Sequence, residues 1–286
     1  MRRADENPPG QSQYWPALLW LCLALVSAPI LLLYLWLVLA SVNPEGVRGL
    51  FPTHITWQHW RFLWVAAVKP GYPNIWLVTG NSLLFALTVM LLEVSLALMT
   101  GYVLSRWQFR GRLLLLQGTL LLHAFPTITL IIALFFVLKA LHLLNTLLGV
   151  ILVKVALDLP FALWMMKGFF DAIPWQVEMA ALVDGATRWR TWYRILLPQI
   201  RPGITALSLF TFLSGWGEYL FVLTFMLEKS GWTLSRYVAS IIGEGDIFVD
   251  YGLMTAVGLF YMLPALLLFV VAHRYLVRLP FGVNSR

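Results

Sequence analysis

Five ionisable side chains lie inside long apolar stretches of this 286-residue sequence: Glu93, His123, Lys154, Asp158 and Glu218. Holding a charged group at the centre of a bilayer costs about 3 kcal/mol on insertion scales, so each of them is a candidate functional residue. Lys154 and Asp158 are four residues apart and can pair on one face of a helix. Such a pair either neutralises itself inside a helix bundle or lines a water-filled path, where each group can hydrogen-bond a solute hydroxyl. The sequence leaves both interpretations open.

The other three groups also have a structural and a functional interpretation. His123, three residues before Pro126, is predicted to be a packed, hydrogen-bonded histidine rather than a ligand or a proton carrier. Glu93 is predicted to snorkel towards one membrane surface or to contact a neighbouring helix. Glu218 either caps backbone donors of a neighbouring helix or faces a polar path through the membrane.

Motifs for catalysis or metal binding are absent from the sequence. It contains no G-x-x-x-x-G-K-[ST] phosphate-binding loop, no G-x-S-x-G nucleophile turn and no H-E-x-x-H zinc motif. The five histidines are scattered, and the single cysteine, Cys22, excludes an intrachain disulfide and a thiolate metal cluster. We therefore predict that the chain is not an enzyme, binds no metal or cofactor itself, and takes its energy from a partner.

The elements that must position these residues are membrane-spanning helices. The sequence is 60% hydrophobic and 12% charged, whereas soluble domains are about 45–50% apolar and about 25% charged. Because a span needs about 20 apolar residues, we predict an all-α membrane protein with six transmembrane helices. They lie near residues 17–40, 80–102, 113–138, 147–168, 203–227 and 252–275. The first apolar run is longer than a signal-peptide core, so it is predicted to be an uncleaved helix.

The net charge of +7 is explained by orientation in the membrane rather than by nucleic-acid binding, since most basic residues flank apolar runs. Thirteen of the 20 lysines and arginines fall on one side of the predicted spans, which places both termini in the cytoplasm. Residues 1–16 and 279–286 are then cytoplasmic tails, and residues 17–79 hold the first helix and an extracytoplasmic loop. In that loop, the tryptophans of Thr53–Trp64 have helical spacing and predict an amphipathic segment at the membrane interface.

A polar cytoplasmic loop, residues 169–202, separates the fourth and fifth predicted spans. Ile173-Pro174 starts a short helix well, because proline is tolerated in the first turn. Residues at helical spacing then share one face: Val177, Ala180, Ala181 and Asp184. Gly185 is predicted to end this helix, and a second, basic turn contains the aromatic residues Trp189, Trp192 and Tyr193. The loop either docks on a soluble partner protein or lies on the membrane surface as an amphipathic helix.

The segment IPWQVEMAALVDGATRWRTWYRILLPQIRPG of this loop resembles the EAA loop with which ABC-importer permeases engage their ATPase subunits. In that family Glu-Ala-Ala is followed by a glycine and, ten residues on, by Ile-x-Leu-Pro. The positions that fit this spacing are Ala180, Ala181, Gly185, Ile195, Leu197 and Pro198. The run Asp184-Gly185-Ala186 is similar to that of sugar-importer permeases. The position of the family's glutamate holds Met179, so either Glu178 makes the salt bridge from one position earlier or the interface relies on apolar contact.

Motifs elsewhere extend the resemblance to most of the chain, with residues 80–278 as the permease core. Three short runs look like maltose-type carbohydrate permeases: Asn81-Ser82, Leu144-Asn145-Thr146 and Trp216-Gly217-Glu218-Tyr219. In that subfamily the tryptophan is usually followed by Asn and Glu, whereas this chain has Gly217 in place of the Asn. The resemblance implies the ABC-importer permease fold, in the form of the smaller, six-helix permease, in a bacterial or archaeal plasma (inner) membrane.

The resemblance also implies partners and a substrate. The chain would pair with a second homologous permease, two cytoplasmic ATPase subunits carrying ATP and Mg²⁺, and an extracytoplasmic solute-binding protein. The substrate would be a sugar or oligosaccharide, and no nucleic acid is involved. The candidate translocation path then consists of Glu218, Lys154, Asp158, His123, Trp216 and Tyr219.

Two alternatives are consistent with the residues. A glycerol-3-phosphate-type importer has very similar permeases, but a phosphate substrate favours cations near the path, and only Lys154 qualifies within the predicted helices. A proton-coupled secondary transporter, from a different class, would use Glu93, His123, Lys154 and Asp158 as a relay.

Overall fold

The computed structural model describes residues 14–44, 54–65, 67, 71–243 and 250–276, and the regular elements in these ranges are all helical. The α-helices are α1 Tyr14–Val42, α2 Ile75–Arg106, α3 Arg112–His123, α4 Ile131–Ala140, α5 Leu147–Asp171, α6 Trp175–Val183, α7 Arg188–Thr191, α8 Leu197–Gln199, α9 Arg201–Trp216, α10 Leu220–Phe225, α11 Leu234–Gly243 and α12 Tyr251–Leu276. Shorter turns are 3₁₀-helical at Gln58–Leu63, Thr127–Leu130 and Lys229–Gly231, and π-helical at Trp192–Leu196. The predicted all-α fold class is confirmed.

Four of the six predicted spans are continuous helices that are long and apolar enough to cross a membrane. They are Ala17–Val42 within α1, the whole of α2, the whole of α5, and Tyr251–Ala272 within α12. A fifth candidate is a bent pair, in which Arg188–Gln199 meets α9 at 76°. The spans predicted near residues 113–138 and 203–227 are both interrupted.

The prediction of one continuous helix over residues 113–138 is wrong, because the helix is interrupted after α3. Pro126 is the cause, because proline has no N–H to donate and disfavours helical geometry in the residue before it. The carbonyl of Pro126 accepts the backbone N–H and the hydroxyl of Thr129, at 3.0 and 2.7 Å. These bonds start the 3₁₀ turn that leads into α4. His123 consequently lies at the end of a helix rather than in the middle of one.

The prediction of one helix over residues 203–227 is wrong at Gly217, where α9 ends. Glu218 then turns inward, and its Oε1 accepts the backbone N–H of Phe221 at 2.9 Å, which starts α10. Asn145, in a left-handed conformation with φ 62°, fixes the far end of α10. Its side-chain oxygen accepts the backbone N–H groups of Leu227 and Glu228 at 2.9 and 3.0 Å. Side-chain hydrogen bonds to backbone N–H groups therefore mark both ends of α10.

The chain divides into two compact units. The first contains α1, the turn up to Arg61 and residues 250–260, and within it the two ring nitrogens of His59 contact the Asn43 carbonyl and the Asp250 carboxylate. The second contains α2 to α11 and residues 261–276, and its centre is the packing of α2 against α5 and α9. At Gly101 of α2, an added Cβ would lie only 3.0 Å from the backbone nitrogen of Lys167 in α5. Small residues permit such close approach between membrane helices.

Several predicted segments fall largely outside the described residues. Both predicted cytoplasmic tails do so, apart from residues 14–16 at the start of α1, and so does Thr53. The described part of the Thr53–Trp64 segment forms a 3₁₀ turn rather than an α-helix, with Trp57 and Trp64 exposed.

Candidate functional site

The loop between α5 and α9 contains the predicted short helix, α6, and Gly185 ends it as predicted. Gly185 has φ +83°, a left-handed conformation that glycine adopts without steric cost. The N–H groups of Gly185 and Ala186 donate to the carbonyls of Leu182 and Ala181, at 3.1 and 3.0 Å. These two bonds form a Schellman motif, which stops the helix and turns the chain towards the second, basic turn.

Glu178 lies on the inner face of α6, and none of its side chain is exposed. Its Oε2 is 3.1 Å from Nε of Arg106 at the end of α2, and its Oε1 accepts a hydrogen bond from the hydroxyl of Tyr102 at 2.8 Å. Of the two predicted roles for this part of the loop, this geometry favours an interface that relies on apolar contact over a salt bridge from Glu178. The carboxylate is already paired inside the chain and is shielded from any approaching protein.

Arg106 joins three elements at this end of the molecule. One of its terminal nitrogens donates to the carbonyls of Phe170 and Ile173, at 3.0 and 2.9 Å, and its guanidinium lies 5.6 Å from the ring centre of Trp175. Phe170 belongs to the last turn of α5, whereas Trp175 begins α6. Arg106, the last residue of α2, therefore links the end of that helix to the end of α5 and to α6.

The outer face of α6 carries a small surface that nothing in the described chain covers. This α6 surface consists of Ala180, Val183, Asp184 and Gly185, all exposed. Val183 is the most prominent of them, with 86% of its surface exposed. Ala181, by contrast, is buried against the chain's own core, so of the two alanines only Ala180 is open to close approach by another protein. Met179 lies half-buried between the two faces.

The second turn of the loop packs back onto the membrane helices. Trp189 stacks on Trp192, with ring centroids 4.8 Å apart. A buried apolar cluster holds the turn in place: Phe170, Ile173, Trp192, Leu196 and Ile200. Ile195, Leu197 and Pro198, the positions that carry the end of the family motif, are half-buried. Of the three, Leu197 packs against this cluster.

A second polar cluster lies about midway along α5. Lys154 Nζ is 3.1 Å from a carboxylate oxygen of Asp158 and 2.9 Å from one of Glu218, so the predicted Lys154–Asp158 pair is confirmed. Ser214 of α9 donates a hydrogen bond to Asp158 at 2.8 Å. The ammonium group is thus shared by two carboxylates, and these contacts tie α5 to α9 and to the break before α10. Sequence spacing predicted only the bond within α5, because Ser214 and Glu218 come from α9 and from the break that follows it.

The two aromatic residues predicted for the path have different environments. Trp216 is buried, its indole N–H donates to the carbonyl of Tyr261 at 3.1 Å, and the two rings stack. It therefore packs the helix bundle. Tyr219 lies in the break between α9 and α10 and is exposed.

A cavity of about 220 Å³ lies beside the Lys154 cluster, where α2, α5 and α9 meet the end of α3. The residues that line it are Glu93, His123, Asp158, Phe161, Phe210, Thr211 and Ser214. Glu93 is only 1% exposed, so of its two predicted placements the snorkelling one is wrong, and a position between neighbouring helices is the one observed. Its placement beside Asp158 follows from the packing of α2 on α5, which the local sequence around Glu93 does not reveal.

His123 is hydrogen-bonded as predicted but is not enclosed. Its Nδ1 lies 3.3 Å from the carbonyl oxygen of Leu157, and its ring stacks on Phe161 with centroids 6.3 Å apart. The ring itself is exposed at the edge of the cavity. Within the described ranges, no three His, Cys, Asp or Glu side chains are grouped closely enough to hold a metal ion.

Comparison with known proteins gives concordant matches in sequence and fold. The model of the family described as binding-protein-dependent transport system inner membrane component matches residues 93–279. The diacetylchitobiose uptake system permease protein NgcG of Streptomyces coelicolor is 32% identical over 258 residues, covering 88% of this chain and 83% of the relative. The trehalose transport system permease protein SugB of Mycobacterium tuberculosis is 26% identical, covering 93% and 95%. A solved bacterial ABC transporter involved in the import of the acidic polysaccharide alginate superposes with TM-score 0.77 at 18% identity, covering 94% of this chain and 99% of that one.

Proposed function

Because this chain belongs to the family of binding-protein-dependent transport system inner membrane components, we propose that it is the permease subunit of an ATP-driven importer for a neutral sugar or oligosaccharide. The observation that carries the proposal is the construction of the loop between α5 and α9. Its helix α6 has an uncovered outer surface and an inner face tied by Glu178 and Arg106 to α2 and α5. Such an arrangement is expected of a helix that is displaced by a partner protein outside the membrane and transmits this displacement to the membrane helices.

The carbohydrate assignment is supported by two independent lines. Relatives that match most of this chain are named for diacetylchitobiose and trehalose uptake. The Lys154 cluster is also unsuited to a phosphate group, since its ammonium is already shared by Asp158 and Glu218. An anionic substrate would have to compete with both carboxylates, which disfavours the glycerol-3-phosphate alternative.

The partners in this proposal are a second homologous permease, two cytoplasmic ATPase subunits and an extracytoplasmic solute-binding protein. The excess of lysine and arginine on one side of the spans supports cytoplasmic termini and a cytoplasmic loop. The ATPase subunits dock on the α6 surface and carry ATP and Mg²⁺, because this chain has no phosphate-binding loop of its own.

In the mechanism that follows, closure of the ATPase subunits displaces α6 as a rigid body. The buried Arg106 couples that displacement to α2 and α5, and these two helices form two of the walls of the cavity that Glu93 and Asp158 line. The contact with the ATPase is mainly apolar, since Val183 and Ala180 are exposed while Glu178 is not. Access to the cavity then alternates as the bundle rocks.

Val183→Asp tests the docking role of the α6 surface. Placing a carboxylate in an apolar contact leaves it desolvated and unpaired, so we expect co-purification with the ATPase and sugar uptake to fall at least about tenfold. Leu227→Asp is the matched control, because Leu227 is also an exposed apolar residue but lies after α10, remote in sequence from α6. Normal ATPase binding by Val183→Asp would remove the basis of the proposal. Uptake that persists without the ATPase and collapses with an uncoupler would favour a proton-coupled carrier instead.

A further inference from the structure

The cavity beside the Lys154 cluster contains a carboxyl group that nothing in the described chain satisfies. Glu93 is 1% exposed, and neither of its carboxyl oxygens has a hydrogen-bond partner among the described residues. Asp158 differs, since it receives hydrogen bonds from Ser214 and Lys154. Buried polar atoms without a partner are rare in folded proteins, so each requires an explanation. Because Glu93 lines the cavity, a polar group that enters the cavity can supply this partner.

The charge around the cavity restricts which group that can be. Among the described residues in and beside the cavity, the ammonium of Lys154 pairs with the carboxylates of Asp158 and Glu218, and the carboxyl group of Glu93 lines the cavity together with Asp158. An anion entering this region would meet an excess of carboxylates, whereas a neutral donor of hydrogen bonds would not be repelled. Whether ionised or protonated, the carboxyl group of Glu93 offers acceptor oxygens to hydroxyl groups.

The remaining walls of the cavity suit the apolar face of a sugar ring. Phe161 and Phe210 are both exposed and stand nearly perpendicular, with centroids 6.5 Å apart and an interplanar angle of 83°. The ring of His123 stacks on Phe161 and is a third flat ring in the lining. The cavity measures about 220 Å³, somewhat below the roughly 300–1,000 Å³ of sites for drug-sized ligands. It therefore accommodates one ring at a time rather than a whole oligosaccharide.

We propose that Glu93 is a specificity-determining residue of this subunit, which accepts hydrogen bonds from the hydroxyl groups of a neutral sugar ring held against Phe161 and Phe210. The inference rests on the proposed function of sugar import and extends it, since it assigns a direct substrate contact to this chain and names the residue that selects neutral over anionic rings. Asp158 and Ser214 also line the cavity, and their polar side chains are already hydrogen-bonded to each other.

The experiment uses the complete importer, reassembled in proteoliposomes with its second permease, ATPase and binding protein, and radiolabelled trehalose and diacetylchitobiose as probes. Three variants are compared for uptake and for ATP hydrolysis: Glu93→Leu, Glu93→Gln and Thr211→Val. Leucine removes the acceptors, whereas glutamine keeps one acceptor oxygen in a side chain of nearly the same shape. Thr211→Val is the matched control, because Thr211 lines the same cavity but its hydroxyl is already bonded to the Leu207 carbonyl at 3.0 Å.

We expect Glu93→Leu to raise the KM for uptake at least about tenfold, with basal ATP hydrolysis and subunit assembly unchanged. Glu93→Gln should retain uptake within about threefold of the parent, and Thr211→Val within about twofold. If the unaltered importer takes up sugar and Glu93→Leu does so with the same KM, the inference is overturned while the proposed function stands. If both Glu93 variants lose subunit assembly equally, the inference is also overturned, because Glu93 would then contact the second permease rather than the sugar. If the unaltered chain does not assemble with the ATPase, the proposed function itself fails.

Discussion

Glu178→Ala is expected to detach α6 from the membrane helices without unfolding the bundle. The substitution leaves the guanidinium of Arg106, which is only 6% exposed, without its carboxylate. Truncating one partner of a buried ion pair costs about 3–5 kcal/mol. Arg106 keeps its bonds to the carbonyls of Phe170 and Ile173, so the lower end of that range, about 3 kcal/mol, applies here.

Amide hydrogen exchange of α6 measures this loss directly, because exchange there requires local opening. A loss of about 3 kcal/mol corresponds to exchange about 100-fold faster in α6, while the middle of α2 and α5 should change little. Tyr102→Phe removes only the hydrogen bond to Oε1 and should cost about 1.5 kcal/mol. Glu228→Ala, at an exposed carboxylate, is the control and should stay within about 0.5 kcal/mol.

A double-mutant cycle of Glu178→Ala and Arg106→Ala then tests whether the two residues act as a pair. Residues in direct contact show coupling energies of about 0.5–3 kcal/mol, and the 3.1 Å contact predicts a value in the upper half of that range. Unchanged exchange of α6 in Glu178→Ala, or purely additive effects in the cycle, would refute the assignment of this pair as the anchor of the loop.

Three further outcomes follow from the geometry. Gly185→Asp strains the left-handed turn by about 1 kcal/mol and should leave the complex inserted in the membrane but with sugar uptake uncoupled from ATP hydrolysis. Gly185→Asn is the milder control, because asparagine adopts this conformation more readily. The measurement is the amount of sugar taken up per ATP hydrolysed, and normal uptake by Gly185→Asp would contradict the prediction. Lys154→Met leaves the carboxylates of Asp158 and Glu218 without their cation and should lower the free energy of unfolding, measured by thermal unfolding, by about 3–5 kcal/mol. Lys154→Arg, which keeps the positive charge, is the control. Asn145→Gly removes two hydrogen bonds and should lower the free energy of unfolding by about 2 kcal/mol. Asn145→Ala should lower it by about 1 kcal/mol more, because a φ of 62° is strained for alanine. Equal stabilities of the two variants would contradict this prediction.

Local chemistry made much of the loop predictable. Pro174 and Gly185 define the ends of α6 because their effects act on neighbouring backbone atoms. The i,i+4 spacing of Lys154 and Asp158 predicted their ion pair for the same reason. The spans of α1, α2, α5 and α12 followed from apolar length alone. The breaks within the other two spans were not predicted, because apolar content alone does not show where a helix is interrupted. Pro126 was a signal in the sequence for one of these breaks.

The sequence by itself determined the membrane environment, the helical class, the polar loop and the resemblance of that loop to a docking element, since each depends on composition or on residues close together in the chain. It left open whether Glu178 faces a partner or its own chain, and it offered no neighbour for Glu93. The tertiary structure decided both questions: the end of α2 brings Arg106 and Tyr102 to Glu178, and the packing of α2 on α5 places Glu93 beside Asp158 in one cavity. The physical reason is that a buried charge is defined by partners from other helices, whose approach depends on packing across the whole bundle.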